Sequence, residues 1–407
     1  MSGFLAMADV TSFIANNSRE APLAEALNGF FERAAQEGIA DLHLESAADG
    51  SLELRIRTGD GLMVPAHRFE PEDAQLVLNK IRQRSNLSVV DTRTPQDGRI
   101  VQEAQGRRLD VRVSIVPTIH GASCVMRILD SANAGMLIDK LAMPPAVRRV
   151  FERVIDLPEG VVLAVGPTGS GKTSTLYSAL GKLNTPERKI VTAEDPVEYV
   201  LPGVNQSQAG ASSGTNFAQL LRSFLRQDPD VVLVGEIRDA ETAKIAVQAG
   251  QTGHLVLSTL HANDALEAFT RLQELGASLH ALRTSLKAVI AQRLLRCVCK
   301  ECAKQVPIVD ADGLKLAKSL GDQEGLEWVG QGCTQCAGTG YRGRQAVFEM
   351  VVLDRRMREA LTDLDVARLQ GVARGQPQYQ TLLESAGHLA IAGKTNFREV
   401  LRVVSDL

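Results

Sequence analysis

The sequence predicts two folded parts in series: a small α+β domain, then a larger α/β domain built on a mainly parallel sheet. Three observations carry that reading. The chain has 407 residues, more than one ordinary core accommodates. Its early part mixes alternating strands with helical patterns, whereas from about residue 150 apolar runs alternate with helices, as in a sheet covered on both faces. One of those runs, "VVLAVGPTGSGKTSTLYSAL", passes through a glycine-rich turn straight into a helix.

Residues 1–22 show no clear pattern and are expected to form a loose arm. Leu23, Leu27, Phe30, Phe31 and Ala34 then recur at helical spacing, with Gly38 as a stop. "DLHLE" and "LELRIR" alternate as half-buried strands do, with Leu52, Leu54 and Ile56 on one face. "PEDAQLVLNKIRQRS" opens with Pro71 in the favoured first turn of a helix. "TPQDGRI" reads as a turn, and "RLDVRVSIV" and "SCVMRIL" as further strands. Residues 23–130 make the small domain, of about a hundred residues. Residues 131–145, beginning within "DSANAGM", form the linker, and 146–407 the α/β domain with a cysteine-bearing insertion at 297–345. Neither an internal repeat nor a low-complexity tract is present.

Composition narrows the function classes. Apolar residues at 44% and charged residues at 23% fit a globular chain. A net charge of −3 gives no electrostatic reason to expect nucleic acid, and aromatics at 4% leave few platforms for stacking bases. No apolar run approaches the roughly 18–20 residues that cross a bilayer. The first residues, interrupted by Asp9, make a poor secretion signal. A cytoplasmic protein is expected, so its six cysteines are read as thiols or metal ligands rather than disulfides.

The glycine-rich turn is the strongest signal. Strand Val161–Val165 runs into Gly166, Pro167, Thr168, Gly169, Ser170, Gly171, Lys172, Thr173 and Ser174, after which Leu176, Ala179, Leu180 and Leu183 form a helical face. Glycines let successive backbone N–H groups turn inward on phosphate oxygens, and the helix N-terminus adds its positive end. Lys172 supplies a charge for the β- and γ-phosphates, and the Thr173 hydroxyl is placed to hold Mg²⁺. The motif is read as a nucleoside triphosphate site.

Three further apolar runs stop at groups capable of phosphate chemistry. "KIVTAEDPVEY" ends at Glu194, Asp195 and Glu198; "PDVVLVGEIRD" ends at Gly235 and Glu236; "HLVLSTLHAND" ends near His261. Ligands of open parallel sheets lie outside the carboxyl ends of the strands, so these residues should cluster at the nucleotide. Glu236 stands where P-loop enzymes order Mg²⁺, or it activates the attacking water; Glu198 competes for the role of general base, since either needs only a carboxylate within about 3 Å of a water. His254 and His261 bracket a strand and are too far apart to share a small ion. His261 is placed to donate to a γ-phosphate oxygen, and His254 reads either as a structural or relay residue or as a core histidine.

"CVCKECAK" and "GCTQCAGTGYRGR" offer Cys299-x2-Cys302 and Cys333-x2-Cys336. Two such knuckles fit Zn²⁺ held by four thiolates in a structural site. Cys297 is a spare thiol that could replace Cys299 at what reads as a helix end, and Cys124 reads as core packing.

Together "GPTGSGKT", "EDPVEY", "LRQDPDVVLVGEIRD", "TGHLVLSTLHANDA" and the paired knuckles resemble the ATPases of type II secretion and type IV pilus assembly. "ADLHLE", "TPQDGRI", "LDVRVSIVPTIHG", "VMRIL" and the C-terminal "AGKTNFREVLRVV" extend the likeness over about residues 25–407. The resemblance implies a RecA-like P-loop domain, a PAS-like small domain that closes over ATP, a hexameric motor and an inner-membrane platform protein as partner. It implies Glu198 as general base, Glu236 as the Mg²⁺-side carboxylate, His261 in a histidine box, and phosphate-reaching arginines at Arg112 and Arg127. A cytoplasmic protein peripheral to the inner membrane follows from it, with no direct nucleic-acid partner. Family members commonly carry a further N-terminal domain that docks on inner-membrane partners, whereas about twenty residues precede the small domain in this sequence, and the resemblance leaves the mode of recruitment open. The zinc module resembles assembly or secretion motors rather than retraction ATPases, which as a group lack it. Two rival classes are a RecA-like nucleic-acid motor and a nucleotide-dependent scaffold with little turnover.

Overall fold

A computed structural model describes residues 27, 29–32, 34–36, 39–104, 107–130, 138–210 and 214–404, apart from the side chains of residues 104, 107, 108 and 130. The expected loose arm, Leu23, Gly38 and residues 131–137 of the expected linker lie outside the described residues. The chain divides into two compact units. The first comprises residues 1–134, 296–305 and 328–344; the second comprises 135–295, 306–327 and 345–407.

In the first unit six strands form one antiparallel sheet: β1 (Asp41–Ser46), β2 (Leu52–Arg57), β3 (Met63–Phe69), β4 (Gln96–Ala104), β5 (Arg107–Thr118) and β6 (Gly121–Asp130), in the order β3-β2-β1-β6-β5-β4. The period-2 alternation seen in the sequence is realised: Leu42, Leu44, Leu52, Leu54, Val111, Val113 and Met126 face one side. Helix α1 (Pro71–Arg84) lays Ala74, Val77, Leu78 and Ile81 against them, joined by Leu27, Phe30, Phe31 and Ala34. Burying each Val, Leu, Ile, Phe or Met among them contributes about 1.5–3 kcal/mol. Cys124 belongs to this core, where burial pushes its thiol up to about 12 and leaves it unreactive.

One expectation for this unit is corrected and one strand is added. The stretch "TPQDGRI" is not a turn, because β4 begins at Gln96 and pairs with β5 as far as Ile115. Gly98 is needed there for close approach: a Cβ would stand 2.5 Å from Ser85 O and 2.9 Å from the Leu87 side chain. Strand β3 was not foreseen. It carries Pro65 at the edge of the sheet, the position where a missing N–H costs no ladder bond.

The second unit is a seven-stranded sheet flanked by helices. Its strands are β7 (Gly160–Val165), β8 (Ile190–Glu194), β9 (Asn205–Gln208), β10 (Val231–Val234), β11 (Leu255–Leu260), β12 (Leu286–Val298) and β13 (Tyr341–Val352), in the order β13-β12-β7-β11-β10-β8-β9. Pairing is parallel from β12 across to β9. Strands β7, β8, β10 and β11 are buried throughout, which explains why they read as unbroken apolar runs. Because they run parallel, the loops after them emerge at one edge. Residues 138–141, expected in the linker, form a 3-10 turn that buries Ile138 and Leu141 in this core.

Residues leading to Cys297 form the long strand β12 instead of the expected helix end. Gln292 and Arg293, polar but buried, sit within that strand beside β7.

Candidate nucleotide site and tetracysteine centre

After Val165 the chain makes its turn through Gly166, Gly169 and Gly171, all with positive φ (145°, 79° and 90°), and enters helix α2 (Lys172–Leu183). Gly171 has a second reason to lack a side chain, since a Cβ there would stand 2.6 Å from Gln292 Nε2. Gln292 Oε1 accepts from Thr175 Oγ1 at 2.6 Å, so β12 fixes the first turn of the helix. Lys172 Nζ folds back over the loop, donating to Gly166 O at 2.6 Å and Pro167 O at 3.0 Å. Burial pushes the Lys172 ammonium down from its ordinary value; Glu236 opposes that and Arg293 adds to it. Pro167, Thr168, Gly169 and Thr173 are exposed, and the buried Ser170 Oγ makes no hydrogen bond. A helix N-terminus, an ammonium and an unsatisfied hydroxyl together fit a polyphosphate.

Glu236 and His261 come together. The Ser258 hydroxyl donates to Val234 O and that of Thr259 to Gly235 O, each at 2.7 Å, while Ile237 N donates to Thr259 O at 3.0 Å. These bonds lash the end of β10 to that of β11. His261 Nε2 then lies 2.9 Å from Glu236 Oε1, and Arg238 Nε donates to Glu236 Oε2 at 2.6 Å. The loop beyond is held from two sides. Arg293 Nη2 donates to Asn263 O at 2.6 Å, and Glu349 accepts from the backbone of Ala265 at 3.1 Å and of Leu382 at 3.0 Å. Burial, helped by Asp264, pushes Glu349 up to about 7 against the pull of those N–H donors and Arg293. His254 has backbone partners: its ring nitrogen faces Ala249 O and its carbonyl accepts from Gly160.

The acids after β8 separate in character. Glu194 is 3% exposed and its carboxylate accepts from Tyr177, Thr192 and Gln206. Asp195 is exposed and precedes a cis peptide to Pro196. Glu198 is half-buried, with its backbone N–H 3.4 Å from Tyr177 Oη. Sequence reasoning does not single out Tyr177, Arg238, Gln292, Arg293 or Glu349. Polar residues inside apolar runs are the signal that marks Gln292, Arg293 and Glu349; Tyr177 carries none.

Arg112 and Arg127 lie in the first unit as direct cross-strand partners. They belong to a row across the sheet, Arg57, Asp41, Arg127, Arg112 and Arg99, on the face opposite the core. Arg127 Nε donates to Asp41 Oδ1 at 2.7 Å.

The four cysteines of the knuckles are assembled, with all Sγ atoms within 4.8 Å of one another. Cys299–Cys333, Cys302–Cys336 and Cys333–Cys336 are separated by 3.9, 3.8 and 3.7 Å. A tetrahedral ion with Zn–S bonds of about 2.3 Å needs sulfurs about 3.8 Å apart. Backbone N–H groups of Cys333 and Gly340 point at Cys336 Sγ, as donors do toward a thiolate. Burial pushes the Cys336 thiol up, but these donors outweigh it and bring the group down to about 7. Cys297 is not part of the cluster among the described residues.

A glycine-rich phosphate loop on a largely parallel sheet, with carboxylates at neighbouring strand ends, defines a RecA-like P-loop ATPase. Residues 16–402 match the family described as "Type II/IV secretion system protein". The chain is 42% identical over 399 residues to the type II secretion system protein E of Klebsiella pneumoniae, covering 97% of this chain and 78% of that protein. It is 39% identical over 367 residues to the type IV pilus assembly ATPase PilB of Thermus thermophilus, covering 90% of this chain and 41% of that one. Among solved structures, the pilus retraction motor PilT with bound ADP superimposes with a TM-score of 0.63 at 25% identity, covering 93% of this chain and 96% of that chain. The chain belongs to the type II/IV secretion system protein family. No helix among the described residues is long and apolar enough to cross a membrane.

Proposed function

We propose that this protein is a Mg²⁺-dependent ATPase, working as a homohexamer at the cytoplasmic face of the inner membrane, that drives assembly of a type II secretion pseudopilus or a type IV pilus. The observation that carries this reading is the grouping of Glu236 with His261 at 2.9 Å, in the electrostatic field of Lys172. Gly166 through Ser174 would hold ATP, with Asp195 beside it, and Thr173 and Glu236 would hold Mg²⁺. ATP supplies the scissile phosphoryl bond and Mg²⁺ neutralises its charge when both are bound. Lys172 balances charge on the outer phosphates, Glu198 orients and deprotonates the attacking water, and His261, hydrogen-bonded to Glu236, reports whether the terminal phosphate is in place. Arg112 and Arg127 are the arginines that the small domain offers to the phosphates; such groups are worth about 10³–10⁵ in rate. Cys299, Cys302, Cys333 and Cys336 hold a structural Zn²⁺. The partners are inner-membrane platform and recruitment proteins, and no nucleic acid is engaged directly.

Lys172→Ala is expected to reduce ATP turnover to background and to weaken binding of a fluorescent ATP analogue. Retained turnover would remove the reading. Single-stranded DNA should leave wild-type turnover unchanged; strong, salt-sensitive stimulation would favour a nucleic-acid motor instead. His261→Ala should keep nucleotide affinity within a few-fold while secretion or piliation is lost in cells. A variant that restores full output would show that the imidazole has no sensing role.

A further inference from the structure

We propose that Tyr177 and Glu194 are a buried positioning pair that sets the backbone of the general base, Glu198; this rests on the assignment of Glu198 as that base. Glu194, expected to face the nucleotide, has its carboxylate turned into the protein. It accepts from the Tyr177 hydroxyl, from Thr192 Oγ1 at 2.5 Å and from Gln206 Nε2 at 3.1 Å. A carboxylate saturated by three internal donors is a poor ligand for further groups and a firm anchor for its donors.

The phenol has a single proton. With that proton given to Glu194, Tyr177 Oη can only accept from others, and Glu198 N and Gln206 Nε2 both approach it at 3.4 Å. Gln206 extends the clamp: its Nε2 donates to Tyr199 O at 3.2 Å and its Oε1 accepts from Leu201 N at 2.7 Å. The Tyr177 and Tyr199 rings meet edge to face, with centroids 4.6 Å apart. Segment 198–201 is thereby gripped at Glu198 N, Tyr199 O, the Tyr199 ring and Leu201 N. Burial pushes the Tyr177 phenol up, and the Glu194 charge pushes it further, so the donated proton stays on oxygen at any working pH.

Tyr177 stands on α2, the helix that begins at Lys172. The same helix therefore carries the phosphate lysine at its start and the anchor for the base five residues later, about one and a half turns on. A displacement of about 1 Å at a reacting group can cost about 10² in rate, so the clamp acts on turnover and not on nucleotide affinity.

Tyr177→Phe removes only the hydroxyl. The expected result is a turnover number lowered about 10- to 100-fold, with the dissociation constant for ATP within about three-fold of the parent. In a Glu198→Gln background the same change should lower turnover less than about two-fold further, because residues acting as a unit are not additive. Glu194→Gln is the second variant and should show the same split, giving the test a readout if Tyr177→Phe folds poorly. Unimpaired turnover in Tyr177→Phe beside an inactive Glu198→Gln protein overturns the proposal alone. So does an equal loss in both backgrounds. A Glu198→Gln protein with normal turnover removes the base assignment, and this proposal with it.

Discussion

Removing the metal from the tetracysteine module is expected to unfold the module while leaving the P-loop core intact. The reason is the poverty of the local core. Around the four sulfurs the chain buries little besides Val298 and the ligands Cys299 and Cys336 themselves. Its geometry is instead fixed by a few backbone bonds, such as Cys299 N to Gly340 O at 2.9 Å and Gln331 N to Cys302 O at 3.0 Å, and by Arg296 stacked 4.3 Å from the Tyr341 ring centroid. A structural Zn²⁺ contributes about 10–16 kcal/mol of apparent binding energy in comparable small modules, far more than those contacts can replace. One zinc per chain should be released by a thiol-modifying reagent, and chelation should open residues 296–305 and 328–344 to protease. The apolar core around β7, β10 and β11 should stay protected. Cys299→Ser should lose the metal, whereas Cys297→Ser should retain it. Purified protein that holds no metal, or a module that resists protease equally well after chelation, would refute the structural role of the site.

Whether a feature was legible in the sequence depended on how local its cause is. The strands β7, β8, β10 and β11 are buried on both faces, so each wrote itself as an apolar run, and each stopped where its polar loop began. The phosphate loop and the CxxC knuckles are also local, because a tight turn or a pair of metal ligands constrains neighbours in sequence. Edge strands escaped notice: β9, "NQSQ", is polar because half of it faces solvent, and β3 carries a proline. Gly98 misled because glycine serves turns and close packing alike, and only the packed Ser85–Leu87 segment distinguishes them. At the site the hidden features are long-range. Glu349 meets Ala265 across 84 positions and Leu382 across 33, and Thr175 meets Gln292 across 117. No periodicity announces such partners. Glu194 illustrates the same limit in reverse, since a carboxylate at a strand end looks equally suited to a ligand and to a buried tyrosine.

Replacing Glu198 by glutamine is expected to lower ATP turnover by about 10²–10⁴-fold, the usual contribution of general base catalysis, with little change in ATP affinity. Glu236→Gln should also impair turnover, but with a different signature. Both Glu236 oxygens are already engaged, one by His261 at 2.9 Å and the other by Arg238 at 2.6 Å. A carboxylate with both oxygens so engaged has neither turned free toward an attacking water, which a general base must reach. It serves better as a fixed negative charge, balancing Lys172 and a divalent ion. Loss of that charge should raise the Mg²⁺ concentration needed for half-maximal turnover, whereas Glu198→Gln should leave the Mg²⁺ requirement unaltered. Single-turnover hydrolysis and nucleotide binding, each measured across a Mg²⁺ titration, separate the two variants. If Glu236→Gln abolished hydrolysis with an unchanged Mg²⁺ requirement while Glu198→Gln stayed active, the two roles would be exchanged. The clamp of Tyr177 on the 198–201 segment would then hold a bystander, and the chemistry would run from the end of β10.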